Sequence, residues 1–336
     1  MRIGLVLAAG GSVGVAYHGG VLAALEECTG WDPRQADLVV GTSAGSVTAS
    51  ILRAGLPAVD LAAISEGTPL SEEGARLAAV GRPHRPRVRL THTLSFRPWA
   101  DLPAALHAAA HPLSSSPRRL LVAALPAGGI PTEPISEGID TLHAGGWPAD
   151  PLWICAWDLR RGRRVVFGRP GSPEASVGLA VAASSAIPAY FQPVTIDGRR
   201  YVDGGVHSMA NLDLVAGAGL DLVIVVSPLT AISPWSSMSP AGLLRQPLRG
   251  RLRAEITALR RTGVTVVAVE PGRSVAAAMG PNPMDASRRR AVSEAARAGI
   301  RRWMVEGVDG RRLARILAGE AEAARATVGA EGRPSA

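Results

Sequence analysis

Leu38-Val39-Val40-Gly41-Thr42-Ser43-Ala44-Gly45, continuing into Ser46-Val47-Thr48-Ala49-Ser50-Ile51-Leu52-Arg53, is the stretch on which the reading of this chain turns. Leu38 to Val40 is a short apolar run and reads as a buried strand, while Ser43 to Arg53 reads as a helix of small residues. Between them stands G-x-S-x-G, the pattern of a nucleophile elbow. A serine on so tight a strand-to-helix turn needs small neighbours, because the backbone bends sharply and a substrate must approach Oγ. The helix N-terminus then favours negative charge developing there. A serine that merely caps the helix is the competing reading, and the flanking strand and helix favour the elbow.

Moving outward, Gly10-Gly11-Ser12-Val13-Gly14 forms a second glycine turn between a strand at Ile3 to Ala8 and a helix at Val13 to Glu27. Its backbone N–H groups can face an anion, either a nucleotide phosphate or the oxyanion of an acyl-transfer intermediate. A dinucleotide fold would place an acidic residue about 20 residues further on, at the end of the next strand. The elbow occupies that place, which favours the oxyanion; binding of a nucleotide or polyanion remains the alternative. Further strands are expected at Trp153 to Asp158, Arg164 to Phe167, Leu222 to Ser227 and Val264 to Glu270. Helices are expected at Val177 to Ser184, Ala286 to Glu306 and Arg311 to Thr327. The alternation predicts an α/β fold with a mostly parallel central sheet covered on both faces.

Composition narrows the function classes. With 336 residues, 47% of them hydrophobic, the chain can bury a sizeable core. Two cysteines, Cys28 and Cys155, without metal-ligand spacing argue against a disulfide framework and a thiolate zinc site and point to a reducing compartment. The longest apolar runs fall well short of the roughly 20 residues that span a bilayer, and the N-terminal apolar run reads as a strand rather than a signal peptide. A cytoplasmic protein is the expectation. All 36 basic residues are arginine; from Arg245 onward 18 arginines face 9 acids, so the net +8 is concentrated in the C-terminal part. Dispersed among alanine and glutamate, they read as solvated helix faces, with attraction to an anionic membrane surface as the second reading. Gly81 to Pro151 is rich in proline, histidine, serine and arginine and reads as a lid-like insertion. Leu90, Leu94, Phe96 and Trp99 within it, with Trp235 and Met238 in a loop at 229–247, are candidate lipid-surface anchors.

A nucleophilic serine needs a base. Of the seven histidines only His207 sits in a context suited to a triad. Before it stands Tyr201-Val202-Asp203-Gly204-Gly205, an apolar run ending in a carboxylate and two glycines. Asp-Gly is also a common turn pair, so Asp203 taken alone is a turn aspartate. A Ser-His-Asp esterase using His207 fits the chain order Ser, Asp, His, although Asp203 and His207 are close together in sequence.

Taken jointly, the first glycine turn, the elbow, Ala183-Ser184-Ser185-Ala186-Ile187-Pro188 and Asp203-Gly204-Gly205 occur in the order that resembles the patatin-like lipid acyl hydrolases. The resemblance covers about Ile3 to Pro228. It implies a three-layer α/β/α sandwich in which Ser43 is the nucleophile, Asp203 its base, and the N–H groups of Gly10 and Gly11 the oxyanion hole, with Gly14, Gly41, Gly45, Gly204 and Gly205 shaping the turns. It implies a lipid or acyl-ester substrate and chemistry that needs no metal or cofactor; from the arginines and apolar anchors, peripheral contact with anionic membrane is expected, with a partly buried lid packed on the core as the alternative, and no specific nucleic acid. The expected organisation is a catalytic domain over 1–228 with the insertion at 81–151, a flexible loop over 229–247, a C-terminal α/β extension over 248–327 on the same core, and a disordered tail over 328–336. Two positions depart from the family pattern: Ala9 stands where a third glycine is usual, and Val13 where an arginine or lysine precedes the last glycine.

Overall fold

The computed structural model describes residues 1–80, 122, 125–230 and 240–331. The chain opens with β1 (Ile3–Leu7) and α1 (Gly11–Thr29), then β2 (Leu38–Thr42), α2 (Ala44–Arg53), α3 (Ala58–Glu66) and α4 (Glu72–Val80). After α5 (Glu133–Leu142) come β3 (Leu152–Asp158), β4 (Arg163–Phe167), α6 (Val177–Ser185), β5 (Val194–Ile196) and β6 (Arg199–Asp203). The chain then continues through β7 (Leu222–Val226), α7 (Pro240–Arg260), β8 (Thr265–Val269), α8 (Arg273–Met279), α9 (Arg289–Glu306) and α10 (Val308–Glu331).

The sheet runs β5-β6-β3-β2-β1-β7-β8, with β4 also paired to β3. From β3 to β8 all pairs are parallel, whereas β4, β6 and β5 add antiparallel pairs around β3. This is a mostly parallel sheet flanked by helices, as expected of the α/β/α architecture. Parallel strands carry helices on both faces, so both sets of alternating side chains must be apolar. On β1, Leu5 and Leu7 join one buried cluster, with α1, α9 and α10; Val6, with Ala8 just after the strand, joins the other, with Leu252 and Ile256 of α7. The strand order reverses around β1, where β2 lies on one side and β7 on the other. In open α/β sheets the crevice at the carboxyl ends of strands flanking such a reversal is where ligands bind. Both glycine-bearing turns identified from the sequence emerge there.

Close backbone approach explains why the elbow is glycine-rich. A Cβ on Gly45 would lie 1.8 Å from the carbonyl oxygen of Leu7, so α2 packs directly on β1. Similarly, α1 presents Gly19 to the backbone of Leu61 and Gly20 to that of Ser293, at 2.8 and 2.4 Å from where a Cβ would sit. One helix thereby seats α3 and α9 side by side.

Several expectations change. Of the lid-like insertion at 81–151, the part over Glu133–Leu142 is a helix whose Ile139 is buried in the main core; Asp140 accepts from the Gly178 N–H at 2.8 Å and from Ser176 Oγ at 2.8 Å. Residues 81–121 and 123–124, with the four candidate anchors there, lie outside the described residues, as do Trp235 and Met238. The loop expected to reach 247 ends earlier, because α7 starts at Pro240. Proline lacks only an N–H that the first turn leaves unbonded anyway, so Pro240 begins the helix. The last helix starts at Val308 and extends to Glu331, into the tail expected to be disordered. Among the described residues no helix is long and apolar enough to cross a membrane.

The contact at Gly45 yields a paired prediction. Gly45→Ala forces Cβ into the Leu7 carbonyl and is expected to destabilise by about 3 kcal/mol or more. Gly319→Ala, with nothing within 4 Å of its new Cβ, is expected to stabilise α10 by about 0.5 to 1 kcal/mol. Thermal melts of both variants are the check, and equal melting temperatures would contradict the close approach.

Candidate active site

Ser43 sits between β2 and α2 with φ 53° and ψ −120°, a conformation that non-glycine residues rarely adopt. The turn is tight enough that a Cβ on Gly41 would lie 2.5 Å from Ser46 Cα. Neighbouring groups pin the serine backbone. Its N–H donates to Ser184 Oγ at 2.9 Å, and its carbonyl accepts from the Ser46 N–H at 2.8 Å and from Ser46 Oγ at 2.7 Å. The side chain is only 4% exposed, and it favours the charged form of Asp203.

Register brings that carboxylate to the serine. On β3, Cys155 is paired with Thr42 of β2 and Ala156 with Asp203 of β6. Two successive residues of one strand thus hold the residue before the nucleophile and the carboxylate. A Cβ on Gly204 would lie 2.2 Å from the carbonyl of Cys155, so the chain leaving β6 presses on the same strand. Asp203 is buried; its Oδ1 accepts the Gly205 N–H at 2.7 Å, and its own N–H donates to the Ala186 carbonyl at 2.9 Å. Burial raises its pKa from 3.8 to about 6, against the opposing pull of the hydrogen bonds from Ser43 and Gly205.

The first glycine turn abuts the elbow: a Cβ on Gly14 would meet the Ala44 methyl at 3.3 Å. Gly10 caps the 19-residue α1 without a side-chain hydrogen bond. Gly14 N–H returns to the Gly10 carbonyl at 3.0 Å and Val13 N–H donates to the Pro283 carbonyl at 3.1 Å. Among the described residues the amides of Gly10, Gly11 and Ser12 engage no acceptor. They stand at the positive end of the α1 dipole. Gly11 has φ +63°, and a Cβ there would lie 2.6 Å from the Pro283 carbonyl oxygen. Val13, where the family pattern has a cation, is fully buried in the main core, and an apolar contact replaces the charge. Ala9 donates its N–H to the Met209 carbonyl at 2.9 Å.

His207 lies against another aromatic side chain. It stacks on Trp157, centroids 6.0 Å apart and planes at 19°, and its charge acts on Asp213. His18 is buried on α1 with Nδ1 3.3 Å from Thr48 Oγ1 of α2; burial lowers its pKa to about 3, so it stays neutral. Asn211 had no sequence signal of its own. In the left-handed region, with φ 52°, its amide donates to Thr42 Oγ1 at 3.0 Å and to the Ser208 carbonyl at 2.6 Å. It steadies the residue before the nucleophile. Ser184 lay within a motif block, but only the fold assigns it to the Ser43 N–H. Among the described residues no three His, Cys, Asp or Glu side chains gather as metal ligands.

A family model described as "Patatin-like phospholipase" matches residues 5–130 and 150–216. Among solved structures the chain is similar to VipD from Legionella pneumophila, at 15% identity and a TM-score of 0.44, over 94% of this chain and 67% of that one.

The pKa of Asp203 carries a stability consequence with a definite sign. Raised in the fold from 3.8 to about 6, this group's contribution is fully present below its unfolded value and is lost as pH rises through the folded one. Asp203→Asn does not titrate. Its stability relative to wild type is therefore expected to improve between pH 4 and pH 7 by on the order of 2 to 3 kcal/mol. Denaturant melts at the two pH values check this, and parallel curves would contradict it.

Proposed function

This chain belongs to the patatin-like phospholipase family, a family of lipid acyl hydrolases, and from that premise we propose that it cleaves acyl esters through a Ser43–Asp203 dyad and an acyl-enzyme. The observation that carries this reading is a buried serine on a strained elbow that favours the charged form of a buried carboxylate. Asp203 takes the Ser43 proton as Oγ attacks the ester carbonyl carbon, and the carbonyl electrons move onto oxygen. The amides of Gly10 and Gly11, which engage no acceptor among the described residues and lie at a helix N-terminus, receive that oxyanion. Collapse of the intermediate breaks the bond to the leaving alkoxide, which takes the proton from Asp203 and departs as the alcohol. Water then gives its proton to Asp203 and attacks the acyl-enzyme; collapse of that intermediate breaks the bond to Ser43 Oγ, which takes the proton back from Asp203 as the fatty acid leaves.

A carboxylate with a pKa near 4 is a poor base at neutral pH. Desolvation moves Asp203 toward the working pH, where a base that is mostly ionised still has driving force for proton transfer. Ser43 pinned by Ser184 and Ser46, and Asp203 pinned by Gly205 and Ala186, limit the motion of both groups.

Fluorophosphonate labelling tests the nucleophile. Wild type is expected to be labelled and Ser43→Ala not. On acyl-ester substrates Ser43→Ala and Asp203→Asn are expected to lose roughly a thousandfold or more in kcat/KM, and His207→Ala less than about fivefold. Labelling of Ser43→Ala, or a loss in His207→Ala matching that of Asp203→Asn, would contradict the dyad.

The oxyanion turn makes a separate prediction. Gly11→Val strains a left-handed position and drives Cβ into the Pro283 carbonyl. It is expected to lower kcat by on the order of 100- to 1,000-fold with less effect on KM. Wild-type turnover in that variant would remove the turn from the oxyanion role.

A further inference from the structure

Beyond the ester-cleaving site, β4, the loop after it and the turn joining β5 to β6 enclose a cleft of about 470 Å³. Arg161, Arg163, Arg164, Arg169 and Arg199 line it, against a single acidic lining residue, Asp197. Not all five are available. Arg164 forms a bidentate pair with Asp213, at 2.6 and 2.7 Å, and also donates to Asn211 at 3.0 Å. Arg169 lies 4.6 Å over the Trp153 ring, which leaves its guanidinium edge for hydrogen bonds. Arg161 and Arg163 are exposed, Arg199 is half-buried, and none of the three forms an ion pair with a carboxylate among the described residues. Like charges gathered around a concavity repel one another and raise the local concentration of anions.

A second, independent feature points the same way. Tyr201 of β6 lines the cleft and is fully buried, packed edge-on against Phe167 with centroids 5.5 Å apart. Its hydroxyl has no hydrogen-bond partner among the described residues, and its charged neighbours are the Asp158 carboxylate and the Arg199 guanidinium. A buried hydroxyl left unsatisfied is destabilising, so this donor calls for an acceptor. Solvated surface arginines would account for the charge alone, but not for the concave shape or the orphaned donor.

We propose that this cleft is a binding site for a phosphate-bearing anion, with Arg161, Arg163 and Arg199 supplying guanidinium forks and Tyr201 a hydroxyl donor. Guanidinium groups match the oxygen geometry of phosphate, and the volume suits a phosphoryl group with a small substituent. The phosphate has two sources of shared chemistry: the headgroup of an anionic phospholipid, or a soluble phosphorylated molecule. The inference does not depend on the Ser43–Asp203 reading.

The test uses the full chain in two arms: calorimetric titration with inorganic pyrophosphate, and sedimentation with vesicles of phosphatidylglycerol against phosphatidylcholine. Arg161→Glu with Arg163→Glu is expected to weaken binding about tenfold or more. Tyr201→Phe is expected to weaken it severalfold without lowering the melting temperature, because it removes an unsatisfied hydroxyl. Arg312→Glu with Arg315→Glu on α10, an equal charge change elsewhere, is expected to leave binding unchanged. Pyrophosphate binding without vesicle binding identifies a soluble ligand, and phosphatidylglycerol binding without pyrophosphate binding identifies a headgroup. No binding in either arm, indifference to both cleft variants, or an equal loss in the α10 variant would overturn the proposal. Hydrolysis of a soluble short-chain ester is expected to stay within about twofold in Arg161→Glu with Arg163→Glu, since neither side chain belongs to the ester-cleaving site; this separates failure of the cleft from failure of the dyad.

Discussion

Strand β3 is the constraint from which the rest of the site follows. Cys155 pairs with Thr42 and Ala156 with Asp203, so a parallel partner and an antiparallel partner meet along one strand at adjacent residues. The residue before the serine and the carboxylate-bearing end of β6 are thereby fixed next to one another on β3. A one-residue slip in either pairing would send Asp203 to the opposite face, because side chains alternate along a strand. Gly204 against the Cys155 carbonyl and Gly45 against the Leu7 carbonyl lock those registers by contacts that tolerate no Cβ.

Burial sets both the chemistry and its cost. Ser43 is held at φ 53°, a strain of order 1 to 3 kcal/mol, and the Asp203 carboxyl is buried. Both are sustained by a large double-faced core: Leu5, Leu7, Val39, Ile224 and Val226 on one face of the sheet, and Val6, Val40, Val223 and Val225 on the other. The same desolvation that weakens the fold at neutral pH raises the basicity of the carboxylate. Its hydrogen bonds from Ser43 and Gly205 limit that rise to about 6, a value at which it is mostly ionised at pH 7.

The sequence was most legible where backbone geometry restricts residue type. The two glycine turns, the strands that precede them and the helices that follow are local features, and short β-branched runs marked β1, β2, β3, β7 and β8. Pairing between distant segments left no such mark. Nothing in Arg199–Asp203 says that it lies antiparallel to Trp157, and nothing in Asn211 announces a hydrogen bond to Thr42. Helix α5 leaves a fainter mark for another reason: it follows a polar, proline-rich stretch of sequence, and its apolar side is narrow, with Ile139 its one buried apolar side chain. Val13 illustrates the converse case. Its identity was plain, but that the position faces the core rather than the oxyanion became visible only in three dimensions.

The most direct measurement of the central claim is the rate of fluorophosphonate inactivation as a function of pH, in wild type and in His207→Ala. A carboxylate base acting directly on Ser43 predicts a rate that rises with pH through a midpoint near 6, unchanged when His207 is removed. A midpoint that shifts or disappears in His207→Ala would place an imidazole in the proton path and contradict the direct dyad.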